Sequence, residues 1–121
     1  MDLSVSQLEE LGRRLVQRQA QLRAELEAHR SEREAAGDRS AETADQKDEA
    51  SQRQYTALVD AEDERDQAEL RSIDAALRRL AEGRYGACSD CGEPIGVQRL
   101  LAQPHALRCS ACQAAYERHH R

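Results

Sequence analysis

Two pairs of cysteines are the residues of this chain whose types and spacing could do chemistry. Each pair reads C-x-x-C, seventeen residues separate the pairs, and the chain has no other cysteine. A C-x-x-C segment can form a tight turn that directs both thiolates at one point, and two such turns supply the four sulfurs of a tetrahedral Zn²⁺ site. The spacing therefore predicts one structural zinc ion, with the ligands Cys88, Cys91, Cys109 and Cys112.

The same thiols have other possible uses. Disulfides would need an oxidising compartment, and a thioredoxin-like C-x-x-C would need a βαβ unit, which the sequence does not predict. A thiol switch in which oxidation releases zinc stays open as an alternative function. A four-thiolate site has no free position for substrate, and no nucleophile–base pair or glycine-rich phosphate loop is visible. We predict that the protein is not an enzyme.

Composition favours long helices over a large globular core. Of the 121 residues, 34% are charged and 2% are aromatic, and Phe and Trp are absent. A module of about 35 residues around the cysteines is too small to fold by burial of apolar surface alone, so we expect zinc to stabilise its fold. No basic and apolar leader is visible at the N-terminus, and no apolar run is long enough to span a membrane. These features predict a cytoplasmic protein.

Charge is distributed unevenly along the chain. The net charge is −5, residues 31–69 carry thirteen acidic and five basic side chains, and residues 84–121 carry three acidic and five basic ones. Duplex DNA is bound through clustered Lys and Arg, so this balance argues against sequence-specific DNA binding. A DNA-binding zinc ribbon remains the second alternative function.

Two stripes of apolar residues predict helices over residues 4–36 and 51–82. The first helix has its cap at Ser4 or at Ser6, the latter with Glu9 in a capping box, and Gly83 is suited to end the second. The acidic middle of the second helix, residues 62–66, is expected to be solvated. The stripes consist of Leu8, Leu11, Leu15, Leu22 and Leu26 in the first helix, and of Tyr55, Leu58 or Val59, Leu70, Ile73, Leu77 and Leu80 in the second.

The stripes fit an antiparallel hairpin with a turn at about residues 40–50. Leu8 with Leu80, Leu11 with Leu77, and Leu15 with Ile73 share one sum of residue numbers, as antiparallel partners do. Leu22 and Leu26 would then face acids near positions 66 and 62, so we expect that half of the hairpin to be more mobile. Pairing between two chains is the alternative, but a short connection favours antiparallel neighbours and a monomer.

The predicted fold is mainly all-α: an antiparallel coiled-coil hairpin, a small C4 zinc-finger module and a short C-terminal helix. The hairpin domain spans residues 1–83 and the zinc module spans 84–121, with a helix over 110–121. Two prolines predict an irregular or strand-like connection between the cysteine pairs. His119 and His120 are expected in a frayed tail, and His105 is not expected as a ligand. The residues expected to cover the metal site are Tyr85, Ile95, Val97, Leu100, Leu101, Leu107 and Tyr116.

Three motifs together resemble the DksA/TraR family of bacterial zinc-finger proteins. They are the D-x-x-D-x-A of residues 45–50, the Y-G-x-C-x-x-C-G of residues 85–92 and the I-G-V-x-R-L of residues 95–100. The resemblance covers residues 7–116. It implies a transcription regulator that binds RNA polymerase directly and inserts its hairpin into the secondary channel. Asp45, Asp48 and Ala50 would be the tip residues near the polymerase active site, although Asp is also common in turns and Asp48 could cap the second helix.

This sequence departs from longer family members where they use basic residues to help bind ppGpp. By spacing from the cysteines, those positions are Ser72, Gln103 and Gln113, all uncharged, although Arg71 adjoins the first. A polyphosphate anion needs cations to replace its hydration. The resemblance therefore implies a polymerase-binding regulator with little dependence on ppGpp at this interface.

Overall fold

The computed structural model describes residues 3–40 and 46–120, with only the backbone described for residues 36–40 and 46–48. These residues contain four helices: α1 is Val5–Ser40, α2 is Gln46–Ala81, α3 is Val97–Ala102 and α4 is Ser110–His119. They contain no strand, and one isolated antiparallel bridge joins Ala87 to Pro94. The predicted fold class is confirmed: a helical hairpin, a cysteine module and a short C-terminal helix. In the described part of the chain, no helix combines the length and apolar character needed to cross a bilayer.

Both long helices extend further towards their connection than the sequence predicts. α1 continues to Ser40 instead of ending at residue 36, and α2 begins at Gln46 instead of residue 51. Gly37 and Asp38 are poor helix formers, but each costs only about 1 kcal/mol or less relative to alanine. Several favourable neighbours in a long helix can offset that cost.

The N-terminus of α1 is closed by a reciprocal pair of hydrogen bonds. The Gln7 N–H donates to Ser4 Oγ at 3.1 Å, and the Ser4 N–H donates to Gln7 Oε1 at 2.9 Å. This is a capping box, with glutamine in the place more often taken by glutamate. The cap is therefore Ser4 with Gln7, and the alternative of Ser6 with Glu9 is wrong.

Gly83 ends α2 as the sequence predicts. Its φ of 74° lies in the left-handed region that favours glycine. The Arg84 N–H donates to Arg79 O at 2.8 Å, and the Gly83 N–H donates to Leu80 O at 3.3 Å. These two bonds satisfy carbonyls that the end of a helix leaves without partners, and they turn the chain into the cysteine module.

The described chain divides into two compact units. The cysteine unit contains Met1–Gln19 and Arg71–Arg121, and the turn unit contains Ala20–Leu70. The cysteine unit has an apolar core drawn from both long helices and from the cysteine module. Its buried residues are Leu11, Leu15, Ile73, Ala76, Tyr85, Cys88, Ile95 and Leu100.

The turn unit has a different interior, in which Leu22 and Asp63 are the buried residues among the side chains described there. Asp63 is only 6% exposed, so the prediction that residues 62–66 are all solvated is wrong at this position. Its carboxylate lies 2.6 Å from His29 Nδ1 and also accepts a hydrogen bond from Arg33. Arg33 donates in addition to Asp60 at 2.7 Å. A buried carboxylate needs such partners, and both come from α1.

Two residues assigned to the stripe of α2 do not face the partner helix. Tyr55 is 62% exposed and Leu58 is 66% exposed, whereas Val59, the alternative to Leu58, is partly buried. The assignment of Tyr55 and Leu58 to the stripe is therefore wrong. Near this end of α2 the buried face is narrower than the heptad pattern indicates.

The two helices pair about one helical turn out of the predicted register. In the cysteine unit, a Cβ atom at Gly12 would lie 3.2 Å from Leu80 Cδ2, where the predicted register sets residue 12 against residue 76. Gln19 Nε2 donates to Asp74 at 2.6 Å instead of meeting residue 69. In the turn unit, His29 meets Asp63 instead of residue 59. The absence of a side chain at Gly12 leaves room for Leu80, which helps to select this register.

Candidate metal centre and hairpin end

The first cysteine pair lies on a turn that backbone hydrogen bonds hold closed. The Cys88 N–H donates to Glu93 O at 2.8 Å, and the Gly92 N–H donates to Cys88 O at 3.0 Å. Gly92 has a φ of 78°, so it allows the chain to reverse directly after Cys91. This local geometry brings the two thiols of the pair together.

The second cysteine pair begins a helix. Cys109 is the N-cap of α4, and its Sγ accepts a hydrogen bond from the Cys112 N–H at 3.5 Å. The N-terminus of a helix favours thiolates, because its free N–H groups and dipole stabilise negative charge. The Ser89 N–H donates to Leu107 O at 2.8 Å and joins this turn to the first one.

The four cysteine sulfurs form a compact cluster. All four Sγ atoms lie within 4.8 Å of one another, and those of Cys91 and Cys109 are 3.9 Å apart. A tetrahedral zinc site with bonds of about 2.3 Å places its sulfurs about 3.8 Å apart. The cluster therefore fits Zn²⁺. Among the described residues it is the one group of three or more potential ligands, and it contains no histidine.

The electrostatics of the cluster also suit a cation. Burial acts to raise the pKa of Cys88, but the N–H groups of Cys91, Cys109 and Asp90 outweigh it and lower that pKa to about 6. Hydrogen bonds with the neighbouring thiols raise the pKa of Cys112 to about 12. Four thiolates this close repel one another, so complete ionisation calls for a divalent cation between them.

Arginine side chains bind backbone carbonyls within the cysteine unit, and two of these arginines, Arg14 and Arg79, lie outside the cysteine module. Tyr85 adds a similar bond, with its hydroxyl donating to Pro104 O at 2.9 Å, and burial raises the pKa of this phenol to about 12. These arginine contacts could not be predicted from the sequence, because an arginine that binds a carbonyl cannot be told from a solvated one. The arginine bonds are Arg79 to Ala87 O at 2.6 Å, Arg14 to Leu101 O at 2.9 Å and Arg99 to Arg108 O at 3.0 Å.

The residues expected to cover the metal site divide into two groups. Tyr85, Ile95 and Leu100 are buried and Val97 and Leu107 are partly buried, whereas Leu101 and Tyr116 are 36% and 38% exposed. Leu100 belongs to α3, a helix of six residues between the cysteine pairs. The predicted irregular or strand-like connection is therefore wrong for Val97–Ala102, whereas the other residues between the pairs are not helical and Pro94 forms the bridge to Ala87. Pro94 and Pro104 both lie outside α3, where proline does not disturb it.

His120 does not behave as a frayed tail. Its ring stacks on Tyr116 with centroids 3.9 Å apart and an interplanar angle of 16°. Its Nδ1 also lies 2.8 Å from Tyr116 O. α4 continues to His119, close to the predicted end of the C-terminal helix.

The tip residues are only partly within the described structure. Asp45 lies outside the described residues, and the side chain of Asp48 is not described. Because α2 begins at Gln46, Asp48 is the third residue of the helix, and its suggested place as the cap is wrong. Ala50 is exposed on α2.

The three positions compared with the ppGpp-binding residues all lie in the cysteine unit. Ser72 and Gln113 are partly buried, and Gln103 is exposed. Gln113 Nε2 donates to Glu117 at 3.1 Å. The described surface at these positions therefore has polar but uncharged side chains.

A helical hairpin followed by four clustered cysteines defines a class of C4 zinc-finger proteins. Residues 83–118 match the family model described as the prokaryotic dksA/traR C4-type zinc finger. With the structural similarities given next, this shows that the chain belongs to the DksA/TraR family, and the predicted resemblance is confirmed.

Solved structures of relatives cover nearly the whole chain. A structure of transcription factor DksA2 from Pseudomonas aeruginosa is 30% identical, with a TM-score of 0.75, over 98% of this chain and 88% of the other. A solution structure of the DnaK suppressor protein from Agrobacterium tumefaciens is 35% identical, with a TM-score of 0.62, over 95% and 96% of the two chains.

A curated relative extends the comparison to a named partner. The RNA polymerase-binding transcription factor DksA of Caulobacter vibrioides is 41% identical over 78 residues, which make up 64% of this chain. The match spans 55% of the length of that relative.

Proposed function

We propose that this protein is a transcription regulator that binds bacterial RNA polymerase directly. In this proposal, residues 1–83 form a hairpin whose tip enters the secondary channel and modulates initiation, and residues 84–121 form a zinc module that supports the hairpin at the channel rim. The protein acts in the cytoplasm as a monomer, without catalytic activity and without sequence-specific contacts to DNA.

The observation that carries this proposal is the match of the whole fold to a transcription factor. The DksA2 structure aligns with 98% of this chain, including both long helices and the cysteine module. The partner is taken from the Caulobacter relative, which is named as an RNA polymerase-binding factor. The local charge supports the same partner, because a hairpin end rich in carboxylates suits a site lined with basic side chains and Mg²⁺.

Zinc has a structural role in this proposal. One Zn²⁺ is held by Cys88, Cys91, Cys109 and Cys112, whose sulfurs have the spacing of a tetrahedral site. Four thiolates leave no position for a substrate or an activated water, so the metal supplies cross-linking and no chemistry.

Asp45, Asp48 and Ala50 are the proposed tip residues. Asp48 falls in the first turn of α2, where a carboxylate also stabilises the helix through its dipole. A test must therefore separate the role of this residue in regulation from its role in the helix. Glu49 offers the matched control, because it carries the same charge one position further on and is exposed.

The test compares wild type, Asp48→Asn, Asp45→Asn and Glu49→Gln in the same reactions. Binding of the zinc-loaded protein to polymerase core is measured together with transcription from a ribosomal-type promoter. We expect both Asn variants to retain binding and lose regulation, with Glu49→Gln close to wild type. Failure of the wild type to bind polymerase would overturn the proposed function. Equal regulation by all four proteins would refute the role of Asp45 and Asp48 in regulation, but it would leave the proposed binding to polymerase intact.

We further propose that ppGpp has little effect through this chain, because Ser72, Gln103 and Gln113 carry no charge. The assay uses a polymerase that lacks its other ppGpp site, with and without ppGpp. A triple variant, Ser72→Lys with Gln103→Arg and Gln113→Lys, should gain a ppGpp response that the wild type lacks. A strong ppGpp response of the wild type would contradict the proposal.

A further inference from the structure

Arg108 lies where the two cysteine turns meet. It directly precedes Cys109, and its Nε donates to Asp90 Oδ2 at 2.9 Å. Asp90 lies between Cys88 and Cys91, so this ion pair joins the two cysteine turns. The Arg108 side chain is 24% exposed, so the pair is partly shielded from water. The hydrogen bond from the Ser89 N–H to Leu107 O also joins these two turns.

The same guanidinium also contacts the terminal helix. Its Cζ lies 4.0 Å from the centroid of the Tyr116 ring, which is the arrangement of a cation–π contact. Tyr116 is also stacked on His120, so the arginine forms one end of a three-layer stack. Arg108 therefore connects the first cysteine turn, the second cysteine turn and α4.

The backbone of Arg108 makes a further connection. Its carbonyl accepts a hydrogen bond from Arg99 Nε at 3.0 Å, and Arg99 belongs to α3. Arg108 thus also contacts α3, the helix between the two cysteine pairs.

The charges near the cysteines give the ion pair of Arg108 with Asp90 an electrostatic role in addition to its structural one. Four thiolates around one Zn²⁺ carry a net charge of −2, and Asp90 adds a further carboxylate within the first turn. The guanidinium offsets that carboxylate. Without it, Asp90 would stand as an uncompensated negative charge beside an anionic centre, and the two would repel each other.

We propose that Arg108 is a positioning residue of the zinc centre, which holds the two cysteine turns and α4 together and so slows the release of the metal. The inference rests on the proposed function only in that the four cysteines bind zinc. It extends that proposal by naming a residue outside the ligand set that sets the lifetime of the site.

The test measures the release of zinc from the full-length protein to an excess of a chromogenic chelator. Arg108→Gln should release zinc about tenfold faster than wild type, which matches the lower end of the losses in metal affinity found when groups supporting a metal site are removed. Arg108→Lys keeps the charge without the planar stacking and should lie in between. Arg118→Gln is the matched control on exposed α4 and should release zinc at the wild-type rate.

A double variant distinguishes positioning from general destabilisation. Asp90→Asn with Arg108→Gln removes both charges of the pair, so it should release zinc more slowly than Arg108→Gln alone. A variant that merely unfolds the module would gain nothing from a second substitution. Far-UV circular dichroism of each zinc-loaded protein checks that the helices are present before the chelator is added.

Two results would overturn the inference in distinguishable ways. Zinc release from Arg108→Gln and Arg108→Lys within twofold of wild type, at full zinc content, would refute the role of Arg108 and leave the zinc site intact. A wild-type protein that binds no zinc would refute the site itself, and the inference with it.

Discussion

The cysteine unit and the turn unit contain parts of the same two helices but bury different kinds of side chain. In the cysteine unit, leucine, isoleucine, alanine and tyrosine pack beside a cluster of four sulfurs. In the turn unit, Leu22 is accompanied by Asp63 with its partners His29 and Arg33. Apolar contacts tolerate small shifts between helices, whereas a buried carboxylate requires particular partners at particular positions. The two units therefore hold α1 and α2 together in different ways. We expect the cysteine unit to be sensitive to loss of metal and the turn unit to be sensitive to pH.

The largest expected effect comes from disrupting the sulfur cluster. In Cys112→Ser, loss of zinc should increase amide hydrogen exchange across residues 84–119 by about a hundredfold or more, because a module of this size depends on its metal for folding. Residues 20–70 should keep their protection. Ser110→Ala, two residues earlier in α4, is the control. Equal loss of protection in both units would contradict the distinction between them.

Two leucines of the turn unit provide the next test. Leu22 is fully buried and Leu58 is 66% exposed. Leu22→Ala should lower the free energy of unfolding by about 2–5 kcal/mol, because it leaves a cavity. Leu58→Ala should change it by no more than about 0.5 kcal/mol. Urea unfolding of both variants measures the difference, and similar losses would show that Leu58 packs against the partner helix after all.

Removal of the buried charge should have a smaller effect. Asp63→Asn keeps the shape of the side chain but weakens its bonds to His29 and Arg33, so amides of the turn unit should exchange about tenfold faster. Glu64→Gln is the control, because Glu64 is an exposed acid on the next position of the same helix. If the two variants exchanged alike, the buried cluster would have no part in stabilising this unit.

The smallest expected effect is a dependence of the turn unit on pH. The hydrogen bond from His29 to Asp63 raises the pKa of His29 above its ordinary 6.5; burial opposes this, and Glu32 and Glu62 add to it. The stabilisation is therefore complete below pH 6.5 and is lost as pH rises through the raised pKa. Its partners lower the pKa of Asp63 from 3.8, so that carboxylate titrates at lower pH, outside this window.

Amide exchange of the turn unit, corrected for its intrinsic pH dependence, measures this effect. Protection should be greater at about pH 6 than at about pH 8.5 in the wild type, and His29→Gln should abolish the difference. The imidazole signals of His29, compared with those of His105, report its pKa directly. An unshifted pKa of His29 would show that the bond to Asp63 does not persist in solution.

The parts that could be predicted from the sequence are those in which one residue type permits few structures. Four cysteines in two C-x-x-C pairs have one compact arrangement around a metal, and the left-handed turns at Gly83 and Gly92 suit glycine. The helical hairpin followed from leucine periodicity. These features depend on local geometry or on spacing, and both are visible in a single chain.

The register and the buried charge could not be predicted in the same way. Registers one helical turn apart place the same leucine stripe on the same face, so the stripe alone does not choose between them. The contact of Gly12 with Leu80 helps to decide it. Asp63, in an acidic segment, looks like a solvated residue until the register brings His29 and Arg33 against it. The wrong prediction that Asp63 is solvated thus follows from the wrong register of α1 against α2.

The proposed function requires that the tip residues of the hairpin enter RNA polymerase. The most direct measurement is site-specific photocrosslinking, with a photoreactive phenylalanine in place of Ala50 and, as the control, in place of the exposed Val5. Insertion of the tip predicts that position 50 crosslinks to polymerase segments that line the secondary channel next to the active site, and that position 5 does not. Crosslinks from position 5 but none from position 50, in a complex that still forms, would contradict insertion of the tip.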